Sequence, residues 1–207
     1  MEVNGELQVL MVLRFYVDGT PADAVKCAKS YFKSQFDLVI SGINWGPNLG
    51  TDLQTSGTFT VALISIQLEL SKHAIAMSWI LPQNTWFSEH EDDDISKFLK
   101  YPGLSALNII NTFFENDFYN CELFSINFPA SDSNKWKFTK SFKYFLEFYD
   151  SEAILDKHDM RYSYPLDFSY SKIMDGDTDV KVLEKGFISV VLCRSNFFNE
   201  DLYNKFK

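Results

Sequence analysis

The hydrophobic pattern of the chain alternates between short apolar runs and longer stretches with helical spacing. Residues 36–41 and 74–80 are apolar at almost every position, which is typical of strands buried on both faces of a parallel sheet. Residues 121–128 predict a further strand, which Pro129 ends. Residues 8–17 and 186–193 are rich in β-branched and aromatic side chains and also predict strands. The pattern therefore predicts a set of short strands separated by other elements.

Helical patterns lie between these runs. Thr20 has the character of an N-cap, Pro21 suits the first helical position and Asp23 suits the positive end of the helix dipole, so a helix is predicted from Pro21 to about residue 34. Apolar residues at helical spacing predict two further helices, over residues 59–72 and about 103–118. Alternation of strands and helices is typical of an open, Rossmann-like α/β sheet.

This alternation ends near residue 130. Residues 131–173 are aromatic and polar without a helical pattern, and they predict hairpins or an extended arm of the kind that often serves oligomerisation. Residues 175–179 predict a turn before the last strand. The chain has no internal repeat and no linker long enough to separate two units. We therefore expect one domain over residues 1–207.

Charge and length narrow the functional classes. A chain of 207 residues can bury a real core. Its net charge of −9 argues against binding of a nucleic-acid polymer, which requires a basic face. Small phosphorylated ligands remain compatible with an acidic exterior, because one local pocket can bind an anion. The acidic run at residues 89–94 is interpreted as a solvated loop.

The cysteines and the apolar runs bear on location. Cys27, Cys121 and Cys193 are odd in number and form no CxxC motif, which favours a reducing compartment. The opening residues lack the features of a signal peptide, and the apolar runs are too short or too interrupted to span a membrane. The sequence therefore predicts a cytoplasmic protein without membrane partners.

Residues 41–60, SGINWGPNLGTDLQTSGTFT, carry the candidate chemistry. Asn44 and Asn48 follow the carboxyl end of a predicted strand, where ligands bind in open α/β sheets, and amide oxygens are acceptable ligands for Mg²⁺ or Mn²⁺. Ser56, Gly57 and Thr58 stand at a predicted helix start, where free N–H groups can bind a phosphate. From the residues alone, a phosphate or metal site and a plain N-cap both remain open.

Other common sites do not fit the sequence. The glycine spacing in this loop does not match GxGxxG, and neither a P-loop lysine nor a GxSxG motif is present. His73, His90 and His158 lack the spacing of a zinc site. We interpret the histidines as structural.

The candidate loop resembles a known family signature. Residues 37–59, DLVISGINWGPNLGTDLQTSGTF, are similar to the signature of the SurE family, the stationary-phase survival phosphatases and nucleotidases, with its spacing intact. Four further segments resemble family motifs in the same order: VDGTPADAV at 17–25, AIAMSW at 74–79, FSINFP at 124–129 and TDVKVLEKGFISVV at 178–191. The resemblance thus covers nearly the whole chain.

The resemblance implies a function and a set of residues. Members of that family use a divalent metal to dephosphorylate nucleoside monophosphates and other phosphomonoesters. By position, Asn44 would be a metal ligand, and Asn48, Ser56, Gly57 and Thr58 would hold the phosphate. The implied cofactor is Mg²⁺ or Mn²⁺, the implied partner is a small phosphorylated substrate, and a homo-oligomer is expected.

One family feature has no counterpart in this sequence. The family opens with a strand that ends in Asp-Asp-Gly, whose carboxylates are its main metal ligands, and no such stretch precedes Asp18. The catalytic residues therefore stay unassigned, and we expect a chain that begins after the family's first strand and helix. Two hypotheses follow: a metal-dependent phosphomonoester hydrolase whose activity in this form is in question, or a non-catalytic relative that binds phosphate or oligomerises. A structural module that uses only its arm is a third.

Overall fold

A five-stranded mixed sheet forms the centre of the molecule. The structure is a computed structural model, and it describes residues 2–3, 6–7, 13–81, 98–141, 154–156, 161–163, 176–196 and 204–205. Its strands are β3 (Phe36–Trp45), β4 (Ser71–Trp79), β5 (Leu123–Phe128), β6 (Trp136–Thr139) and β9 (Ile188–Cys193). They lie in the order β3-β4-β5-β9-β6, in which β3, β4 and β5 are parallel, β9 is antiparallel to β5, and β6 is parallel to β9.

Two small hairpins lie outside the central sheet. In the first, β1 (Glu2–Val3) pairs with β2 (Glu6–Leu7). In the second, β7 (Ile154–Asp156) pairs with β8 (Arg161–Ser163), within the segment for which the sequence predicts hairpins or an arm. That prediction is confirmed for β7 and β8, and the open α/β architecture is confirmed as well.

The first helix begins at its predicted cap, whereas the first two helices end a few residues earlier than predicted. Helix α1 (Pro21–Tyr31) starts with a capping box, in which Thr20 N donates to Asp23 Oδ2 at 3.0 Å and Asp23 N donates to Thr20 Oγ1 at 3.3 Å. Helix α2 spans Gly57–Gln67 and α3 spans Leu104–Glu115. A short 3₁₀ turn covers Gly50–Gln54, and a turn with positive φ angles covers Asp117–Asn120.

The strands β4 and β5 contribute side chains to two hydrophobic clusters. Alternating residues of the two strands pack into different clusters, as expected for strands covered on both faces. One cluster contains Ile75, Met77, Phe124 and Ile126 with Phe113 of α3, and the other contains Ala74, Ala76 and Leu123 with Phe59 and Ala62 of α2. The predicted burial of residues 74–80 is therefore confirmed for β4, and the predicted strand at residues 121–128 is confirmed by β5.

The prediction for β3 was partly wrong. The strand continues to Trp45 instead of ending at residue 41, and it lies at the edge of the described sheet. Ile40 is 46% exposed, so the strand is not buried on both faces. The helices that cover β4 cover this edge position less completely.

One other local prediction was wrong, and one short helix was not predicted. Residues 13–17 are irregular and not a strand, and Phe15 packs its ring against Tyr31 and Phe32 at 5.0 and 5.6 Å between centroids; residues 8–12 lie outside the described part. A short helix, α4 (Asp179–Glu184), begins where the sequence predicts the end of a turn. The acidic run at 89–94, together with His90 and His158, also lies outside the described residues.

His73 has the structural role that the sequence predicts. It lies on β4, its Nδ1 is 3.0 Å from the carbonyl oxygen of Cys121, and its ring stacks on Phe118. Across the described ranges, none of the helices has the length and apolar character that a membrane crossing requires.

The three cysteines should react at very different rates. Cys27 is exposed, whereas burial raises the pKa of the Cys121 thiol and raises the pKa of the Cys193 thiol to about 12. Because the thiolate is the reactive form, only about one Cys193 thiol in ten thousand is reactive at pH 8. We expect iodoacetamide to alkylate Cys27 first in the native protein, as measured by peptide mass spectrometry. The rate of Cys193 alkylation should still be rising with pH at pH 10. Equal rates for Cys27 and Cys193 at pH 8 would contradict this assignment.

Candidate functional site

The glycine-rich loop, which comprises residues 42–50, leaves the sheet through a bulge at the carboxyl end of β3. The pairing register between β3 and β4 shifts between Ser41 and Asn44, and the peptide bond from Gly42 to Ile43 is cis. Gly42 has a φ of +114°, and a Cβ placed on it would lie 2.2 Å from the carbonyl oxygen of Met77. Glycine is therefore required for β3 to pass this close to the backbone of β4.

The bulge places Asn44 opposite Ser78 of β4. The Asn44 side chain is partly buried, and its Nδ2 donates to the Gly46 carbonyl oxygen at 3.1 Å. That bond fixes the amide and leaves Oδ1 as an acceptor that it does not use. Asn44 thus offers an oriented amide oxygen at the carboxyl end of two parallel strands, where ligands bind in this architecture.

Asn48 is bound by two residues near the ends of β4 and β5. Asn127 is 1% exposed, and its side-chain amide bonds both backbone groups of Asn48. Asn48 N donates to Asn127 Oδ1 at 2.8 Å, and Asn127 Nδ2 donates to the Asn48 carbonyl oxygen at 2.8 Å. The Asn48 side-chain amide contacts the hydroxyl of Ser78, which is also buried. Asn44 and Asn48 are therefore both next to Ser78.

Gly50 is the last residue of the loop and the first residue of the turn that leads to α2. Its N–H donates to Asp179 Oδ2 at 2.7 Å, and its carbonyl oxygen accepts from Ser141 Oγ at 3.1 Å. Its φ of +56° is a conformation that glycine adopts at no steric cost. The 3₁₀ turn from Gly50 to Gln54 then carries the chain to Ser56.

Ser56 is the N-cap of α2. Its Oγ accepts from Phe59 N at 3.1 Å, so its own hydroxyl hydrogen is available to another acceptor. Gly57 and Thr58 follow as the first two helical residues, whose N–H groups have no acceptor within the helix. A Cβ on Gly57 would meet Pro21 Cγ at 3.9 Å, an ordinary contact. The starts of α1 and α2 are therefore neighbours, and the positive ends of two helix dipoles lie together.

The ends of β4 and β5 are also tied to each other by hydrogen bonds. The carbonyl oxygen of Pro129 accepts from Trp79 Nε1 at 3.0 Å and from Tyr101 Oη at 2.8 Å. Burial raises the pKa of Tyr101 well above its ordinary value, so this phenol stays a neutral donor at physiological pH. The ends of β4 and β5 are therefore linked through one carbonyl oxygen that accepts two neutral hydrogen bonds.

The described residues do not by themselves fit a divalent metal ion. Mg²⁺ and similar ions take about six oxygen ligands and usually include carboxylates. Asn44 supplies one suitable amide oxygen, but the described part of the chain contains no group of three or more His, Cys, Asp or Glu side chains that could hold a metal. A complete metal site would need ligands from outside these residues.

The structure places the predicted site residues in two groups along one loop. Asn44 and Asn48 adjoin Ser78, and Ser56, Gly57 and Thr58 start the helix that follows the same loop. Sequence reasoning missed the residues that hold this loop, which are Ser78, Asn127, Ser141 and Asp179. Ser78, Asn127 and Asp179 had a usable signal, because each lies in a segment that resembles a family motif; Ser141 had none.

Comparisons with known proteins give consistent results. The family model described as Survival protein SurE matches residues 4–147. The 5'-nucleotidase SurE of Natranaerobius thermophilus is 31% identical over 194 residues, which cover 92% of this chain and 70% of that protein. The 5'-nucleotidase SurE of Clostridium beijerinckii is 27% identical over 184 residues, or 88% of this chain and 68% of that protein.

A solved structure shares the fold. The crystal structure of the SurE protein from Aquifex aeolicus superimposes with a TM-score of 0.65 at 24% identity, covering 91% of this chain and 72% of that one. At this level of identity the likeness supports the architecture of the sheet and its helices, and it carries no statement about ligands.

Proposed function

Because the chain belongs to the SurE family, we propose that it binds phosphomonoesters at the start of α2 and hydrolyses them. The substrate class is a nucleoside monophosphate or another small phosphate ester. The observation that carries this proposal is the open, glycine-bearing start of α2 beside the Asn44–Asn48 loop. The names of the similar proteins support the reaction class.

The start of α2 has the donors that a phosphate group needs. The N–H groups of Gly57 and Thr58 and the hydroxyl hydrogen of Ser56 can each donate to a phosphate oxygen. The neighbouring start of α1 adds less, because the Asp23 carboxylate in its first turn offsets the positive end of that dipole. These groups would orient the ester and stabilise the negative charge that develops on its phosphoryl oxygens during hydrolysis.

Asn48 can add a donor without losing its contact to Ser78. A hydroxyl both donates and accepts, so Ser78 can bond either the NH₂ group or the oxygen of the Asn48 amide. When Ser78 donates to the amide oxygen, the NH₂ group is free to face a phosphate. Asn48 is therefore our candidate for a further phosphate contact.

The cofactor is the less complete part of the proposal. Family membership supports Mg²⁺ or Mn²⁺, with Asn44 as the candidate ligand, but hydrolysis would require carboxylates from outside the described residues. The second candidate function is phosphate binding without hydrolysis, and the same incomplete donor set favours it.

Gly57→Ala should separate binding from folding. The added methyl meets only Pro21 Cγ, at an ordinary contact distance of 3.9 Å, and the backbone geometry is ordinary, so we expect the free energy of unfolding to change by less than about 0.5 kcal/mol. The same methyl would stand where a phosphate approaches the N–H groups, and we expect the dissociation constant for inorganic phosphate to rise about tenfold, or about 1.4 kcal/mol. Isothermal titration calorimetry measures it, with Ser30→Ala at the far end of α1 as the control. Unchanged phosphate affinity in Gly57→Ala would remove α2 from the site.

Hydrolysis is tested with a panel of phosphate esters. The full chain is incubated with p-nitrophenyl phosphate and nucleoside monophosphates, with Mg²⁺, with Mn²⁺ or with EDTA, and phosphate release is measured. Metal-dependent release that Asn44→Ala abolishes supports the hydrolase. Phosphate binding without release supports the second candidate, and the absence of both rejects the proposed function.

We also propose that the chain works as a single cytoplasmic domain within a homo-oligomer. The β7–β8 hairpin supports an arm suited to assembly, and the three free cysteines suit a reducing compartment. A monomeric mass by light scattering at micromolar concentration would contradict the oligomer.

A further inference from the structure

The segment that contains the β7–β8 hairpin starts and ends at the glycine-rich loop. Lys140 N donates to the Asp177 carbonyl oxygen at 3.0 Å, and Asp179 N donates to the Lys140 carbonyl oxygen at 2.9 Å. These bonds join the two ends of residues 141–178, which we call the arm. Each end then reaches Gly50 through one side chain.

Asp179 supplies the contact from the carboxyl end of the arm. Its side chain is 1% exposed, Oδ2 accepts from Gly50 N at 2.7 Å, and Oδ1 accepts from Val180 N at 2.9 Å. A hydrogen bond to a carboxylate is stronger than one between neutral groups, and it is strengthened further where water is excluded. The Gly50 N–H is therefore firmly fixed to the start of α4.

Ser141 supplies the contact from the amino end. Its Oγ donates to the Gly50 carbonyl oxygen at 3.1 Å. Both backbone groups of Gly50 are thus held by side chains that are 91 and 129 residues away in sequence. Gly50 also links the two parts of the site, because Asn48 lies two residues before it and the turn to Ser56 begins at it.

We propose that Asp179 and Ser141 are positioning residues for the phosphate site. By fixing both backbone groups of Gly50 they set the distance between Asn48 and the Ser56–Thr58 helix start, so that these groups can contact one phosphate together. The inference rests on the proposed function. Small displacements of such groups are costly, since about 1 Å of misplacement can lower the rate about a hundredfold.

Ser141→Ala is the decisive variant because Ser141 lies on the surface and its loss should leave the fold intact. We compare it with Ser141→Thr, which keeps the hydroxyl, with Asp179→Asn, which keeps one acceptor oxygen, and with Ser133→Ala as a control. Ser133 also donates its hydroxyl to a backbone carbonyl, that of Lys135, but in a different loop. For each full-length variant we measure the thermal midpoint, the dissociation constant for inorganic phosphate, and amide hydrogen exchange over residues 48–58.

The expected result is a selective change. Ser141→Ala should bind phosphate about five- to tenfold more weakly and exchange its amides faster at residues 48–58, with its thermal midpoint within about 2 °C of wild type. Ser141→Thr and Ser133→Ala should match wild type, and Asp179→Asn should show the larger exchange effect. Wild-type phosphate affinity and wild-type exchange in both Ser141→Ala and Asp179→Asn would overturn the proposal.

The failure of the proposed function has a different signature. If the wild-type chain does not bind phosphate but exchange at residues 48–58 still rises in Ser141→Ala, the two side chains hold the loop and the phosphate assignment is wrong. If wild type binds phosphate and the variants change nothing, the phosphate assignment stands and the positioning role is wrong.

Discussion

Replacing Gly42 by alanine should destabilise the protein by about 3–5 kcal/mol, the largest effect that we expect from adding one methyl group. Two costs combine at this position. The backbone φ of +114° is unfavourable for a residue with a side chain, and the new Cβ would lie 2.2 Å from the Met77 carbonyl oxygen. Neither the backbone of β3 nor that of the buried strand β4 can move away without breaking the sheet. Urea unfolding followed by circular dichroism measures the loss.

Two other glycines separate these two costs. Gly176 has a φ of +100° with open space around its Cβ position, so Gly176→Ala carries backbone strain alone, about 1 kcal/mol. Gly57 has neither strain nor a close contact, and Gly57→Ala should be nearly neutral. The expected order of destabilisation is Gly42→Ala, then Gly176→Ala, then Gly57→Ala. Equal effects at Gly42 and Gly176 would show that the close approach to Met77 relaxes freely.

Asn127→Asp should lower the free energy of unfolding by about 3 kcal/mol or more at pH 7. It should also abolish phosphate binding. The carboxylate keeps the bond from Asn48 N but loses the donor, so a negative oxygen faces the Asn48 carbonyl oxygen in a site that is 1% exposed. Removing a hydrogen-bond donor and burying an unpaired charge are both among the most destabilising changes. The displaced loop would carry Asn48 away from Ser78, and the added charge would repel an anion.

The pH dependence identifies the cause. Burial raises the pKa of the introduced carboxyl group in the folded protein, and the protonated group can again donate to the Asn48 carbonyl oxygen. The stability deficit relative to wild type should therefore be largest above the raised folded-state pKa and should shrink as the pH falls towards the unfolded value near 4. Urea unfolding of both proteins at pH 4.5 and pH 7 measures this difference. Asn111→Asp, on the exposed face of α3, is the control, and an equal deficit in the two variants at pH 7 would refute the buried contact.

The elements that the sequence predicts well are those that local signals specify. Thr20, Pro21 and Asp23 determine the start of α1 through contacts within four residues, and the structure contains the predicted Thr20 cap as part of a capping box. The apolar runs of β4 and β5 identify the buried centre of the sheet because both of their faces are covered. The exposure of Ile40 could not be read from β3, because an apolar run looks the same in an edge strand and in a central one.

Half of the candidate site depends on partners that are remote in sequence. The loop from Gly42 to Gly50 and the start of α2 are visible as glycines, asparagines and a serine cap. The side chains that hold the loop come from the ends of β4 and β5, from Ser141 and from Asp179. Their meeting depends on tertiary packing, and Asp179 looked like part of a turn because α4 is only six residues long.

The pair of bonds between Asn127 and Asn48 also has a consequence for how the loop can evolve. A side-chain amide offers one oxygen and one N–H group, as a peptide unit does, so Asn127 imitates one rung of an antiparallel ladder. Asn127 thereby attaches the loop to the sheet through the backbone of Asn48. The side chain at position 48 takes no part in that pairing. Selection can therefore exchange the chemistry displayed at position 48 while the path of the loop stays the same.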